Sequence, residues 1–514
     1  MRATRVLLVV LVVLSLVAVP LAGVGLASPA ETAEPTDDET TEPEDDPTTE
    51  GTVGYVDGYW YDDELPVDER DDATLEDDEL EAVVSRSMAR VEVIRNLTFQ
   101  EDVPVEVVSR EEFQAENDEL FADFDGEETF QNVRYEALFM VDRETDATEA
   151  YEALYGDSVA GYYDTAADEI VIVSDSEQSP EIDEVILGHE LLHALQDQHF
   201  GLERFDGESL DQRSAELGLI EGDAVWVENE YDDRCEVEWD CVLPTDTASD
   251  PLEPNWGMFL TVFHPYSDGP AYVDHLLEEG DWEAVNDAYD DPPASSSEVI
   301  RPDEEREPVE IVHEDRSSDR WEHLEVENGP DHASFGEVGM ASMFAATAFD
   351  DRDEVVPEDD DVCGGPSSYN YDIEYTDGWA GDKLVVYAAD DEAISETGYV
   401  WHTEWTSEEE AEQFLEGYLE LLEIHDAEAV DGHQDTVVIE EAFPGAYYVD
   451  HDGESVTIVR APSVDELPEI HDGAAPTGGD TIAFPFAADD SLTGFGVTAA
   501  ALAIVVIGVI VRRR

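Results

Sequence analysis

Lysine is all but missing from this 514-residue chain: Lys383 is the only one, so 21 of the 22 basic residues are arginine. Against them stand 133 Asp and Glu, for a formal net charge of −111. A chain so poor in cations cannot neutralise phosphates, which excludes nucleic acid as a partner. Cysteine is scarce too. The three present show no CxxC or Cys/His spacing, which excludes a cysteine-built zinc site. Aromatics, at 9%, and hydrophobic residues, at 42%, are not lacking, so a wholly disordered acidic chain is excluded as well. The length suffices for two or three domains with sizeable cores.

The two ends predict an address. Arg2 and Arg5 precede an apolar run from Val6 to Val19, then Pro20, Gly23 and Gly25-Leu26-Ala27. Those are the three regions of a secretory signal peptide over 1–27, with cleavage near Ala27 or at Ala30. Residues 28–53 read as an acidic, Thr/Pro-rich disordered stalk. From 31 to 50, ten of twenty residues are acidic, six are Thr and three are Pro. At the other end Leu492–Val511 is nearly apolar, about 30 Å long as a helix, and is followed by Arg512, Arg513 and Arg514. The expectation is an exported protein on the cell surface, held in the membrane by its C-terminal helix, with 512–514 cytoplasmic. In that oxidising setting Cys235 and Cys241 are expected to form a disulfide, leaving Cys363 odd. Asn96-Leu97-Thr98 is a glycosylation sequon.

Between the ends the pattern predicts an α+β protein. Residues 54–349 alternate helices with short strands. The helix over 76–97 carries Leu80, Val83, Val84, Met88, Val91 and Ile94 at helical spacing, and a hairpin spans 161–173. An acidic linker follows at 350–370, then a small α+β domain at 371–465 and a second linker at 466–491. Ser407 with Glu410 forms a capping box, as does Ser334 with Glu337.

Chemistry concentrates in one place. Ser179-Pro180-Glu181 reads as a helix start, and the helix contains His189-Glu190-Leu191-Leu192-His193. Histidines four apart project from one face and can reach the same ion, while Glu190 is placed to deprotonate a water beside it. By chance an HExxH is expected about 0.04 times in a chain of this composition. A third ligand is needed. A second helix, capped by Ser209 with Gln212, carries Gly218 and Gly222 one turn apart, a face suited to close packing. Glu221 flanks that face among Leu217, Ala224 and Val225. A half-buried carboxylate there calls for a cation, which makes Glu221 the third candidate ligand. Asp223 is a candidate to orient a ligand histidine, and Tyr266 to donate to an oxyanion. His199 reads as an ordinary core or surface histidine.

These residues carry a resemblance. His189–His193, continuing to His199-Phe200, with Glu221-Gly222-Asp223-Ala224 downstream, resembles gluzincin-type metallopeptidases. More closely, the chain is similar to a family of haloarchaeal cell-surface proteins, from Gly58-Tyr59-Trp60-Tyr61 through Pro265-Tyr266 to Trp379-Ala380-Gly381-Asp382. The acid excess with almost no lysine looks like proteins of extreme halophiles, in which molar salt shortens the Debye length to about 3 Å. Thr493-Gly494-Phe495-Gly496 before the apolar helix resembles that family's Pro-Gly-Phe sorting tail, with Thr493 in place of Pro. The alternatives at that end are a transmembrane anchor and a replacing lipid. The resemblance implies a zincin-like domain with one Zn2+ per chain and a protein or peptide substrate. The 27 residues between His193 and Glu221 exceed the thermolysin-like spacing. A surface protein that holds metal without turnover is the alternative function.

Overall fold

The computed structural model describes residues 7–11, 47–70, 73–113, 128–155, 159–174, 180–244, 254–304, 306, 308–324, 326, 331–349, 355–356, 363–365, 368–389 and 394–486. Its architecture is mixed α+β, with two sheets and helices packed around them.

The first sheet contains β1 (Leu7–Leu11), β2 (Val105–Ser109), β3 (Val159–Asp164) and β4 (Glu169–Ser174), in the order β1-β3-β4-β2. β3 and β4 form an antiparallel hairpin whose turn places Asp168 at φ 55°. β2 runs parallel to β4, and β1 lies antiparallel along the free side of β3. β4 is covered on both faces. Ile170 and Ile172 point into one core, Val171 and Val173 into another, as the two-residue period of a strand requires.

Against the first of these cores pack α1 (Asp77–Arg95), α2 (Glu184–Phe200) and α3 (Leu210–Val237). α1 ends at Asn96, whose φ of 59° is the left-handed conformation that Asn tolerates after a helix. The start of α2 differs from the sequence expectation. Pro180 and Ile182 bond to the 73–75 segment, and Asp183 caps the helix by accepting from the Val185 and Ile186 amides. Strand-like pairing across the fold thus overrides the local Ser-Pro-Glu signal.

A buried clamp holds that end of α2. The Glu184 carboxylate takes Arg90 at 2.7 Å and Arg86 at 3.0 Å, and accepts from the Tyr231 hydroxyl and the Val242 amide, both at 2.8 Å. Removing one partner of such a buried network costs about 3–5 kcal/mol, because the remaining charges stay buried and uncompensated. Cys235, in the last turn of α3, is disulfide-bonded to Cys241.

The glycine face of α3 meets α4 (Trp256–Ser267) and α5 (Gly269–Asp290), the latter kinked at Gly280 and Asp281. A Cβ on Gly222 would run into the backbone of Gly269, and one on Gly218 would lie 2.9 Å from Val299. Backbone cannot give way as a flexible side chain can. Gly222→Ala is therefore expected to lower stability by about 1–3 kcal/mol despite alanine's better helix propensity. Denaturant unfolding in molar salt checks this, and an unchanged midpoint would mean the helices can separate freely.

The second sheet is wholly antiparallel. Its strands are β5 (Glu322–His323), β6 (Trp379–Ala388), β7 (Thr397–Trp405), β8 (Glu428–Ala429), β9 (Thr436–Ile439), β10 (Gly445–Asp452) and β11 (Ser455–Ala461), in the order β8-β9-β10-β11-β7-β6-β5. β5 lies N-terminal of the linker expected at 350–370. The region expected to open a helix through a Ser334 capping box instead places Gly336 at φ 69°, and Asp382 accepts from the Phe335 and Gly336 amides. The helix that follows, α6 (Gly336–Ala345), joins the main core. α7 (Glu408–Ile424), capped by Ser407, covers one face of the sheet through Phe414, Tyr418 and Leu422. Val385, Val400 and Val459 lie on the opposite face, under Leu467 and Ile470.

The expected placement at the cell surface, anchored by a C-terminal helix, is corrected. Among the described residues no helix is long and apolar enough to cross a membrane, and Leu492–Val511 lies outside them. The long helices α3 and α5 carry several acidic groups each, which a bilayer interior penalises. At the other end, Leu7–Leu11 of the expected leader forms β1, since a Leu/Val pentad suits a strand as well as a leader.

Candidate metal centre

α2 and α3 bring three side chains to one point. His189 and His193, one turn apart on α2, face each other with their Nε2 atoms 3.1 Å apart. Each Nε2 lies 3.3 Å from Oε2 of Glu221 on α3. All three residues are buried, and among the described residues this is the one group of three or more His, Cys, Asp or Glu able to hold a metal ion. A tetrahedral ion with bonds of about 2.0–2.1 Å needs donors about 3.3 Å apart. The triangle fits.

The far side of each imidazole is held. His189 Nδ1 lies 2.7 Å from Glu228 Oε2, and His193 Nδ1 lies 2.9 Å from Gln196 Oε1. Donating from Nδ1 leaves both Nε2 lone pairs facing inward, the arrangement that metal-binding histidines use. Gln196 is fixed in turn by the Ile220 carbonyl at 2.9 Å and by Asp223 at 3.3 Å. Asp223 accepts from Tyr289 at 2.9 Å and pairs with the buried Arg95 at 2.9 Å. Asp223 thus reaches His193 through Gln196 rather than touching a ligand histidine itself. Glu228 and Gln196 escaped the sequence reading. Helical spacing could have found them, since Gln196 stands three after His193 and Glu228 seven after Glu221.

The electrostatics of the triad show its appetite for a cation. Burial pushes Glu221 up, but the two histidines outweigh it and hold the carboxyl at about 2. Burial pushes His189 down, but its bonds to Glu221 and Glu228 lift it to about 10.

Glu190 sits beside the triad on α2, fully buried, with neither carboxylate oxygen hydrogen-bonded among the described residues. Burial raises it to about 7, although His189 and His193 pull the other way. Such an unsatisfied buried carboxylate is rare and calls for a partner that the fold does not supply. It lies under β3: a Cβ on Gly161 would be 3.9 Å from Glu190 Cγ.

The remaining candidates have other neighbours. Tyr266 stacks on Phe263, with centroids 6.0 Å apart, at the edge of the main core. Asn96 is exposed at the end of α1. His199 bonds the Thr98 carbonyl at 2.8 Å and steadies the α2 end.

A family model for a domain of unknown function (DUF8575) matches residues 322–471, the span of the second sheet, and includes none of the triad. No curated protein and no solved structure matches the chain.

Proposed function

We propose that this protein is a zinc-dependent metallopeptidase with a zincin-like catalytic region, in which His189, His193 and Glu221 hold the ion and Glu190 is the general base. The single observation that carries this reading is the donor triangle of 3.1–3.3 Å with an unpartnered Glu190 beside it. A zinc ion bound there supplies Lewis acidity and makes water nucleophilic near neutral pH.

The chain's own residues account for the rest. Glu190, raised to about 7, accepts a proton from the attacking water at a carboxylate oxygen and returns it to the leaving amine. A residue that only helped to hold an ion would need no such unpaired carboxylate. Glu228 and Gln196 hold the imidazoles in one tautomer and orientation. The side of β3 away from β4 is taken by β1, and an extended peptide would pair there in its place, the mode of β-strand addition. Support for that edge is on the molecule already. β1 pairs there, with Leu8 opposite Tyr163, Val9 opposite Tyr162 and an irregularity opposite Gly161, the β3 residue over Glu190.

Hydrolysis of casein by the full chain in molar KCl tests the reading. Activity is expected with zinc, is expected to disappear on chelation, and should return when zinc is restored. A folded, zinc-loaded protein that cleaved neither casein nor short peptides would overturn it.

A further inference from the structure

The second sheet carries a cavity of about 380 Å³ on the face away from α7. That is within the range of small-ligand sites, about 300–1,000 Å³. Its floor is set by strand register. His402 pairs with Thr457, and Thr457 with Asp450, across β7, β11 and β10, and Lys383 on β6 continues the row beyond the cavity lining. Residues directly opposite in antiparallel strands share a face, so the four form one row at about 4.8 Å per step. The row runs from a cation to a carboxylate. The walls are the 312–316 segment and the 471–473 turn, tied together where the Asp472 amide donates to the Arg316 carbonyl at 3.0 Å.

Several of these groups lack partners that the fold could have given them. His471 Nδ1 is buried on the cavity wall without a hydrogen bond among the described residues. Lys383, the only lysine in a chain with 133 acids, makes no salt bridge or hydrogen bond among them. His402 is rigidly set. Thr457 donates to its Nδ1 at 3.0 Å, and its Nε2 reaches His313 Nδ1 at 3.1 Å. His313 Nε2 in turn reaches the Tyr387 hydroxyl at 2.6 Å, which donates to Asp315 at 3.2 Å. Burial, helped by neighbouring cationic groups, holds His402 at about 4, so it is neutral near pH 7.

The fixed charges on the cavity are of both signs. Arg316, half-exposed and paired with Glu314 at 3.0 Å, is the cationic group of the lining, and Glu314, Asp450 and Asp472 are the anionic ones; burial, helped by Arg316, lowers His471, which serves there as a neutral hydrogen-bonding group. A simple anion would meet the carboxylates and a simple cation would meet Arg316. A ligand carrying both charges is complementary to both.

We propose that this cavity binds a small zwitterion, an α-amino acid or a fragment of dipeptide size, its carboxylate toward Arg316 and His471 and its ammonium toward Asp450 and Asp472. The site lies within the 322–471 match except for the 312–316 wall and for Asp472 and Gly473, and it stands independently of the triad's chemistry.

Isothermal titration of the full chain in molar KCl tests this with three probes: L-alanine, propionate and ethylammonium. L-alanine is expected to bind at least tenfold more tightly than either single-charge probe. Arg316→Ala and Asp450→Asn are each expected to weaken it at least tenfold, with bound zinc and the circular dichroism spectrum unchanged. Both residues lie at the solvent-exposed rim, so folding should tolerate either change. Propionate binding as tightly as L-alanine would show an anion site and overturn the proposal. So would the absence of saturable L-alanine binding, or binding that survives both substitutions.

Discussion

Replacing both ligand histidines, His189→Ala with His193→Ala, is expected to reduce bound zinc from about one ion per chain to none. Among the described residues the triad has no substitute donors. Glu228 and Gln196 stand on the far side of the imidazoles, and Glu190 alone cannot hold the ion against water. Metal analysis after dialysis reads the result directly. One complication follows from burial. With the histidines gone, Glu221 is a buried carboxylate without a partner, which can cost about 3–5 kcal/mol. Adding Glu221→Gln to the pair removes that charge and should recover much of the stability without recovering zinc. Retention of a full equivalent of zinc by the folded double variant would refute the assignment of the centre.

Glu190→Gln is expected to slow peptide hydrolysis by about 10²–10⁴-fold while zinc stays bound, since a positioned base is typically worth that much and glutamine keeps the shape. Its side chain touches no ligand, so the fold should not notice. Glu221→Gln is expected to differ. A neutral amide is a poor zinc ligand, and both activity and bound metal should fall. Reading turnover and zinc content on both variants separates the two roles. A Glu190→Gln protein as active as wild type would exclude a base at this position, even with the metal site intact.

The centre was legible because its pattern is local. Two histidines four apart need only a helix to converge, and Glu221 was marked by the glycines that let its helix pack closely. Asp223 was legible as a polar group near the site but not in its contacts. Its partners Arg95, Gln196 and Tyr289 come from three other helical segments, and no spacing in the sequence links them. The same reason hid the clamp on Glu184. Arg86 and Arg90 fall between the apolar positions of α1, yet both are buried against the start of α2. Local signals also lost to distant ones. The helix start expected at 179–181 gave way to pairing of 180–182 with the 73–75 segment, Ser179 itself lying outside the described residues, and the Ser334 box gave way to Asp382. β5, with two residues, is too short to show any period, which is why the second sheet begins earlier than the expected linker.

The arginines have a further consequence. Arg86, Arg90, Arg95 and Arg460 are among the largest fully buried side chains, and lysine contributes one residue. Proteases that cut after basic residues therefore meet a native surface with few cleavage sites, while several of the sites that exist are sealed inside. Cutting after Arg86 or Arg90 requires the clamp on α2 to open first. Resistance to trypsin-like attack is thus expected from the scarcity and burial of positive charge rather than from rigidity alone, and cleavage after Arg86 or Arg90 would report on whether α2 is docked.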